Sequence, residues 1–234
     1  METYMHKVIE LVDLNQNKPL NQIIYEGLRT AIISGVIPTG QRINEKQYAE
    51  LLNVSRTPVR EALSRIQDED IVEYIPNFGI VVRQFTKDDV IEIYQIRIAL
   101  DVLASENAMN RMTEDDIIFA KDLLARTDEA QSNNDVALVI ELSREFNTMI
   151  YRFAKMPHLE TIQNRLRDYL SRFRDISLTA NARRELALYE HHMILRCLIN
   201  KDVEQVRMVI TEHLALSKDF IMIELEKENA KRNL

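Results

Sequence analysis

Apolar positions along the chain follow helical spacing with one interruption, and that interruption marks the organisation. Ile23, Ile24, Gly27, Leu28, Ala31 and Ile32 recur at i, i+4, i+5 and i+8, which predicts a helix over about 20–34 stopped by Gly35 and Pro38. After the Pro38-Thr39-Gly40 turn, Asn44 stands three residues before Gln47 at capping-box spacing. It opens a short helix through about Leu52, with Tyr48, Leu51 and Leu52 inward. Asn53-Val54-Ser55 breaks it. Thr57 as cap and Pro58 at the first helical position then start a helix that turns Val59, Leu63 and Ile66 inward. Arg56, Arg60 and Ser64, spaced by four, occupy a different face. Two β-type segments follow over 71–75 and 80–85, joined by the turn Pro76-Asn77-Phe78-Gly79.

From Thr86 onward glycine and proline almost vanish and only long amphipathic helices fit, with Thr86 and Asp89 as a cap. They are expected near 87–110, 114–131, 135–155, 158–179, 182–199 and 202–228, with breaks at Thr113, Gln131-Ser132-Asn133-Asn134, Pro157, Asn181 and Asn200. The charged tail from Glu224 to Asn233 is expected to fray, and His6 to sit in a mobile terminus. The predicted fold is mostly α: a winged helix-turn-helix over 1–85 followed by an all-α antiparallel helical bundle over 86–234.

Composition sharpens this picture. Four Gly, five Pro and no Trp favour helices over a sandwich or barrel, and 234 residues with 46% apolar content suffice for two domains. Glu2, His6, Lys7, Glu10 and Asp13 interrupt the N-terminus, so it is unlike a signal peptide, and no apolar run reaches the ~18 residues of a membrane span. The single cysteine, Cys197, lies in an apolar stretch and reads as a small buried hydrophobe. A cytoplasmic protein without a membrane partner is expected.

Charge alone argues against nucleic acid. The chain carries a net −7, and residues 1–86 hold nine Lys and Arg against eleven Asp and Glu. A case for DNA therefore rests on where individual cations sit. A second helix that begins Ser55-Arg56-Thr57 can enter the major groove, with hydroxyls and backbone N–H groups on phosphate. Arg56 and Arg60, one turn apart, can each donate in bidentate fashion to guanine. The competing reading is a solvated helix face beside Glu50 and Glu61.

The words from Gly35 to Gly79, Gly-Val-Ile-Pro-Thr-Gly-Gln-Arg-Ile-Asn-Glu, Leu-Leu-Asn-Val-Ser-Arg-Thr-Pro-Val-Arg-Glu-Ala-Leu and Ile-Pro-Asn-Phe-Gly, closely resemble the winged-helix domain of GntR-type transcriptional regulators. The helical remainder, beginning Ile93-Tyr94-Gln95-Ile96-Arg97-Ile98-Ala99-Leu100, resembles the FCD ligand-binding domain of the FadR branch. The resemblance implies DNA contacts at Lys46, Ser55, Arg56, Thr57, Arg60, Asn77 and Gly79. Arg56 and Arg60 would read bases, Lys46, Ser55 and Thr57 would hold phosphate, and Gly79 would let the wing approach the minor groove. It also implies a homodimer on a palindromic double-stranded DNA operator, controlled by a small anionic metabolite such as an organic or sugar acid.

Many FCD domains hold a divalent metal (zinc, nickel or manganese) through an Asp, a His four residues later and two His on later helices. His191 and His213 match the later pair, but Ser143 and Asn147 stand where the Asp and the first His are expected. A hydroxyl and an amide replace a carboxylate and an imidazole poorly around a transition metal. His191 and His213 therefore read either as weak metal ligands or as hydrogen-bonding groups of a cavity wall, and no cofactor is firmly implied. His158 and His192 are expected to be exposed.

Arg97 follows the stripe Ile93, Ile96 and Leu100, close to the buried face of its helix. Such an arginine needs an anion: either an effector carboxylate, as the resemblance implies, or an acid such as Glu141 or Glu190. Arg97, Ser143, Asn147, His191 and His213 form the candidate effector set, while Arg165, Arg172 and Arg174 receive no role. Two other classes compete with a regulator: a metal-dependent enzyme built on the histidines, which lacks any recognisable nucleophile or His-Glu-x-x-His pair, and a helical adaptor.

Overall fold

The chain divides into two compact units, Met1–Phe85 and Thr86–Leu234, and the computed structural model describes residues 4–232. The first unit is built from α1 (Met5–Leu11), α2 (Leu20–Ile33), α3 (Glu45–Leu51) and α4 (Arg56–Asp68), with β1 (Arg42–Ile43), β2 (Val72–Ile75) and β3 (Gly79–Val82). The apolar stripe of α2 is buried as its spacing predicts, and Gly35, at φ 74°, ends the element. Asn44 caps α3 by accepting from the N–H groups of Lys46 at 3.0 Å and Gln47 at 3.3 Å. The cap of α4 is Ser55 and not Thr57, which places Pro58 third in the helix. A proline lacks an N–H that no first-turn residue needs, so it marks the first turn and not a unique position within it.

The wing is a three-stranded antiparallel sheet in the order β1-β3-β2, with Arg42 opposite Val81 and Val72 opposite Val82. A two-residue strand has no periodicity to read, so β1 is not visible in the sequence pattern. The turn between β2 and β3 carries Asn77 at φ 64° and Gly79 at φ 98°, and at Gly79 a side chain would be strained whatever space surrounds it.

The segment after residue 4, where no helix was expected, forms α1. Met5 and Val8 of α1 are buried, as is Val12 after it, while His6 lies on the exposed face of α1. Gly27 makes this docking possible. A Cβ there would stand 2.5 Å from Val12 Cγ2 and 2.8 Å from the Leu11 carbonyl oxygen, both inside van der Waals contact.

The second unit consists of α5 (Lys87–Arg111), α6 (Glu114–Ser132), α7 (Val136–Ala154), α8 (Pro157–Ser177), α9 (Asn181–Asn200) and α10 (Val203–Arg232). Two capping boxes start it. Thr86 Oγ1 accepts from the Asp89 N–H at 3.1 Å while Asp89 accepts from the Thr86 N–H at 2.8 Å, and Thr113 and Asp116 repeat the exchange before α6. Lys155 and Lys201 adopt the left-handed conformation that ends α7 and α9. α10 runs through the charged stretch that begins at Glu224 as far as Arg232; Asn233 lies outside the described residues. α7 packs against α5, α6, α8 and α9, and α10 against α5, α8 and α9, so the interior lies among α5, α7, α9 and α10 with α8 closing one side. Arg184, only 3% exposed, ties the connections of this unit together by donating to Leu178 O, Thr179 O, Gln131 Oε1 and Asn134 Oδ1.

Gly27→Ala should destabilise the first unit by about 1–3 kcal/mol through overpacking, although alanine is the better helix former. In a chain shortened by residues 1–14 the same substitution should become neutral or stabilising, and urea denaturation of the four proteins checks the reversal of sign.

Candidate effector site and nucleic-acid interface

In the first unit, Ser55, Arg56, Thr57 and Arg60 are all exposed along the start and one face of α4, and Lys46 is exposed on α3. The Ser55 side chain makes no capping bond, so neither its hydroxyl nor the first-turn N–H groups of α4 satisfy each other. Arg60 Nε lies 3.2 Å from Glu45 Oε2, and Lys46 Nζ lies 3.7 Å from Glu50 Oε1. Asn77 is exposed and Gly79 half-exposed in the wing turn.

The adverse charge count loses its force once the acids are located. Glu69 is buried, pairs with Arg29 at 2.7 Å and accepts from the Tyr25 hydroxyl, and Glu61 is held by Asn21 of α2 at 2.9 Å. Arg65 is turned away from the α4 start, stacked 3.8 Å above the Tyr25 ring and bonded to Gln22. Sequence reasoning passed over one further cation of the wing. Arg42 of β1 lies 5.5 Å from the centre of the Phe78 ring at the wing tip, beside the half-exposed Phe78 itself and Tyr74, which is 62% exposed.

The second unit carries a polar interior. Arg97 is buried, but the inward stripe of α5 runs Ile93, Tyr94, Arg97, Asp101, Ala104, Ser105 and Ala108, while Ile96 is 40% exposed. Its acid is Asp101, at 3.7 Å, and neither Glu141 nor Glu190. The pairing is local, one turn along the same helix. Asp101 Oδ1 accepts from Gln163 Nε2 at 2.6 Å and from the Tyr151 hydroxyl. Burial first, and then the Asp101 carboxylate, push the Tyr151 phenol well above its ordinary range, so it stays a donor.

Glu190 belongs to the histidines. Its Oε2 accepts from His213 Nδ1 at 2.7 Å and from Arg183 Nη1 at 3.3 Å. A carboxylate only accepts, so the proton of His213 sits on Nδ1. The rings of His191 and His213 are 5.3 Å apart, and His191 stacks on Phe146 at 4.2 Å. Burial, with His213 and then Arg183 and Arg174 adding to it, depresses the His191 pKa far below the usual histidine range, so this ring is neutral. Its Nδ1 is buried without a hydrogen-bond partner.

Asn147 and His213 meet at one cavity, lined also by Asp101, Ser105, Tyr151 and Ile210. Its volume is about 10 Å³, room for one water. Asn147 Nδ2 donates to Ser143 O at 2.7 Å, which spends one amide donor on its own helix. Ser143, 6% exposed, is buried one turn before Asn147 on α7 but does not line the cavity, and Arg97 reaches it only through Asp101. His158 and His192 are exposed, the latter 3.1 Å from Asp128.

The residues present do not fit a divalent transition metal. Two imidazoles and an amide supply no carboxylate, Oδ1 of the nearby Asp101 is occupied by Tyr151 and Gln163, and no group of three or more His, Cys, Asp or Glu among the described residues is arranged to hold an ion. The metal expectation for His191 and His213 is therefore not carried further.

More arginine converges here than the sequence suggested. Arg167 and Arg174, seven apart on α8, sit on the same side as Gln163 and Leu170, and a polar i, i+4, i+11 series around a buried leucine was the available signal. Arg167 donates to Thr148 Oγ1 at 3.1 Å and to Arg144 O at 3.4 Å. Arg174 shares Asp175 with Arg144. Burial, and then repulsion from Arg167, bring the Arg174 pKa down to about 10. The Nε groups of Arg97, Arg167, Arg174 and Arg183 are all buried without a hydrogen-bond partner. Among the described residues no helix is long and apolar enough to cross a membrane.

The family model of bacterial regulatory proteins, gntR family, matches residues 20–82, and that of the FCD domain matches residues 92–216. The chain is 30% identical over 189 residues to the HTH-type transcriptional regulator McbR of Escherichia coli (strain K12), covering 79% of this chain and 85% of the relative. It is 28% identical to the HTH-type regulator YdhC of Bacillus subtilis (strain 168), covering 86% and 90%. The fold is shared with the solved structure of E. coli McbR/YncC at a TM-score of 0.69 and 24% identity, over 96% of this chain and 99% of that one. The winged helix, the helical unit that follows it in the chain and these matches lead to one conclusion: the chain belongs to the gntR family of bacterial regulatory proteins, with an FCD domain, and is a DNA-binding transcriptional regulator and not an enzyme.

Proposed function

We propose that this regulator binds a palindromic operator as a homodimer and that a small organic anion, enclosed in the helical unit, controls the affinity. Arg56 and Arg60 read bases, Lys46, Ser55 and Thr57 hold phosphate, and Asn77 and Gly79 bring the wing to the minor groove. The observation that carries the effector reading is the set of buried, unpartnered donors, Nε of Arg174 and Arg183 near the neutral His191 and Nε of Arg97 near Arg174. Leaving such groups without acceptors is costly, and a carboxylate supplies acceptors and charge together.

The cavity shared by Asn147 and His213 has room for about one water, so an organic acid enters that cavity only if the helices lining it part. That requirement is what a controlling ligand needs, because it shifts an equilibrium only through different affinities for two arrangements.

Thermal shift against monocarboxylates, dicarboxylates and sugar acids should find stabilising ligands whose effect survives chelation. Arg174→Met should abolish that stabilisation while Asp175 keeps its other partner, Arg144, so the ligand-free fold should be retained by circular dichroism. Stabilisation that vanishes with chelator and returns with zinc, nickel or manganese would overturn the metal-free site.

On DNA, Arg60→Ala should lose ~1–3 kcal/mol per half-site against the preferred sequence and leave circular dichroism unchanged. Lys46→Ala should weaken all duplexes alike and reduce the salt slope by about one. Gel shifts across a salt series separate the two roles.

A further inference from the structure

The ion pair between Glu45 and Arg60 joins the two helices of the helix-turn-helix at the surface assigned to DNA. Glu45 is the first residue of α3 and its side chain is 31% exposed, whereas that of Arg60 on α4 is 67% exposed. The contact uses Arg60 Nε alone, at 3.2 Å from Glu45 Oε2. A guanidinium bound through Nε keeps its two terminal nitrogens, the edge that matches O6 and N7 of guanine. An exposed pair of this kind adds little to stability. Its position offers a better account of it than stability does.

The geometry points to Glu45 as a positioning and specificity residue for DNA: it holds the Arg60 fork in the orientation that reads a base, and its charge beside the interface repels phosphate, so a duplex without the right base is bound poorly. This rests on the reading of Arg60 as a base contact. The two functions of the carboxylate separate chemically. Glu45→Gln removes the charge and weakens the hold on Nε. Glu45→Asp keeps the charge but, one methylene shorter, no longer reaches Nε. Lys46, next to Glu45 in the chain, does not compete for its carboxylate, since its Nζ lies 3.7 Å from Glu50 Oε1.

The test uses the full chain and two duplexes of equal length: the consensus enriched by the unaltered protein from a random-sequence pool, and a scrambled version of it. Glu45→Gln should bind the scrambled duplex several-fold more tightly, with a steeper salt dependence, and lower the ratio of consensus to scrambled affinity by about 3- to 10-fold. Glu45→Asp should lower the ratio while leaving the scrambled affinity unchanged. In an Arg60→Ala background neither substitution should alter the ratio further. Melting temperatures should stay within a degree or two.

If both variants keep the unaltered ratio while Arg60→Ala lowers it, Glu45 has no positioning role and the inference fails. Equal loss on both duplexes together with a lower melting temperature would make Glu45 a structural residue and overturn it as well. If Arg60→Ala itself leaves the ratio intact, it is the assignment of Arg60 that fails.

Discussion

Burying guanidinium groups in a helical interior constrains everything built around them. Arg97, Arg174 and Arg183 lie inside the second unit with Asp101, Asp175 and Glu190 as counter-charges, and each acid is shared with further donors. Such an arrangement survives only while its donors and acceptors stay paired, because a charge stripped of its partner in a low-dielectric interior is strongly destabilising. Tyr151 and Gln163 exist in this network as anchors for Asp101, and Glu190 fixes the proton of His213 while neutralising Arg183. The remaining Nε donors and His191 Nδ1 stay unused. These unused donors are the ground for the proposal that an anion binds in the helical unit.

The first unit meets the opposite electrostatic problem. Its acids outnumber its bases, yet the start of α4 is the surface proposed to meet DNA, a polyanion. Pairing removes part of the conflict: Glu69 is buried under Arg29 and Tyr25, and Glu61 is drawn toward α2 by Asn21. Glu45 and Glu50 remain beside Arg60 and Lys46. Weak bulk attraction is an advantage to a regulator that must discriminate, since the sequence-independent term is the one every competing site in a genome shares.

Much of this was legible before any coordinates. Stripes on α2 and α4, the Asn44 cap, the Thr86 and Thr113 starts and the Pro76–Gly79 turn are local signals, written within one helical turn or one hairpin, and local physics decides them. The exposure of Arg56 and Arg60 followed from the same periodicity. α1 was not legible in this way: its charges resemble a free terminus, and its burial depends on a contact with Gly27 of another helix.

The sequence by itself determined the longer helices and the β2–β3 hairpin, the two-unit order of helix-turn-helix before helical bundle, and which arginines of α4 face outward, because each depends on spacing along one segment. The tertiary structure alone decided the partner of every buried charge. Arg97 takes Asp101, one turn away, while Glu190 goes to His213 and Arg183 on two different helices, and Arg174 is brought near Arg97 only by the packing of α8 against α5. Pairing between helices depends on how side chains from separate segments fill a shared interior, and no periodicity within one segment encodes that choice.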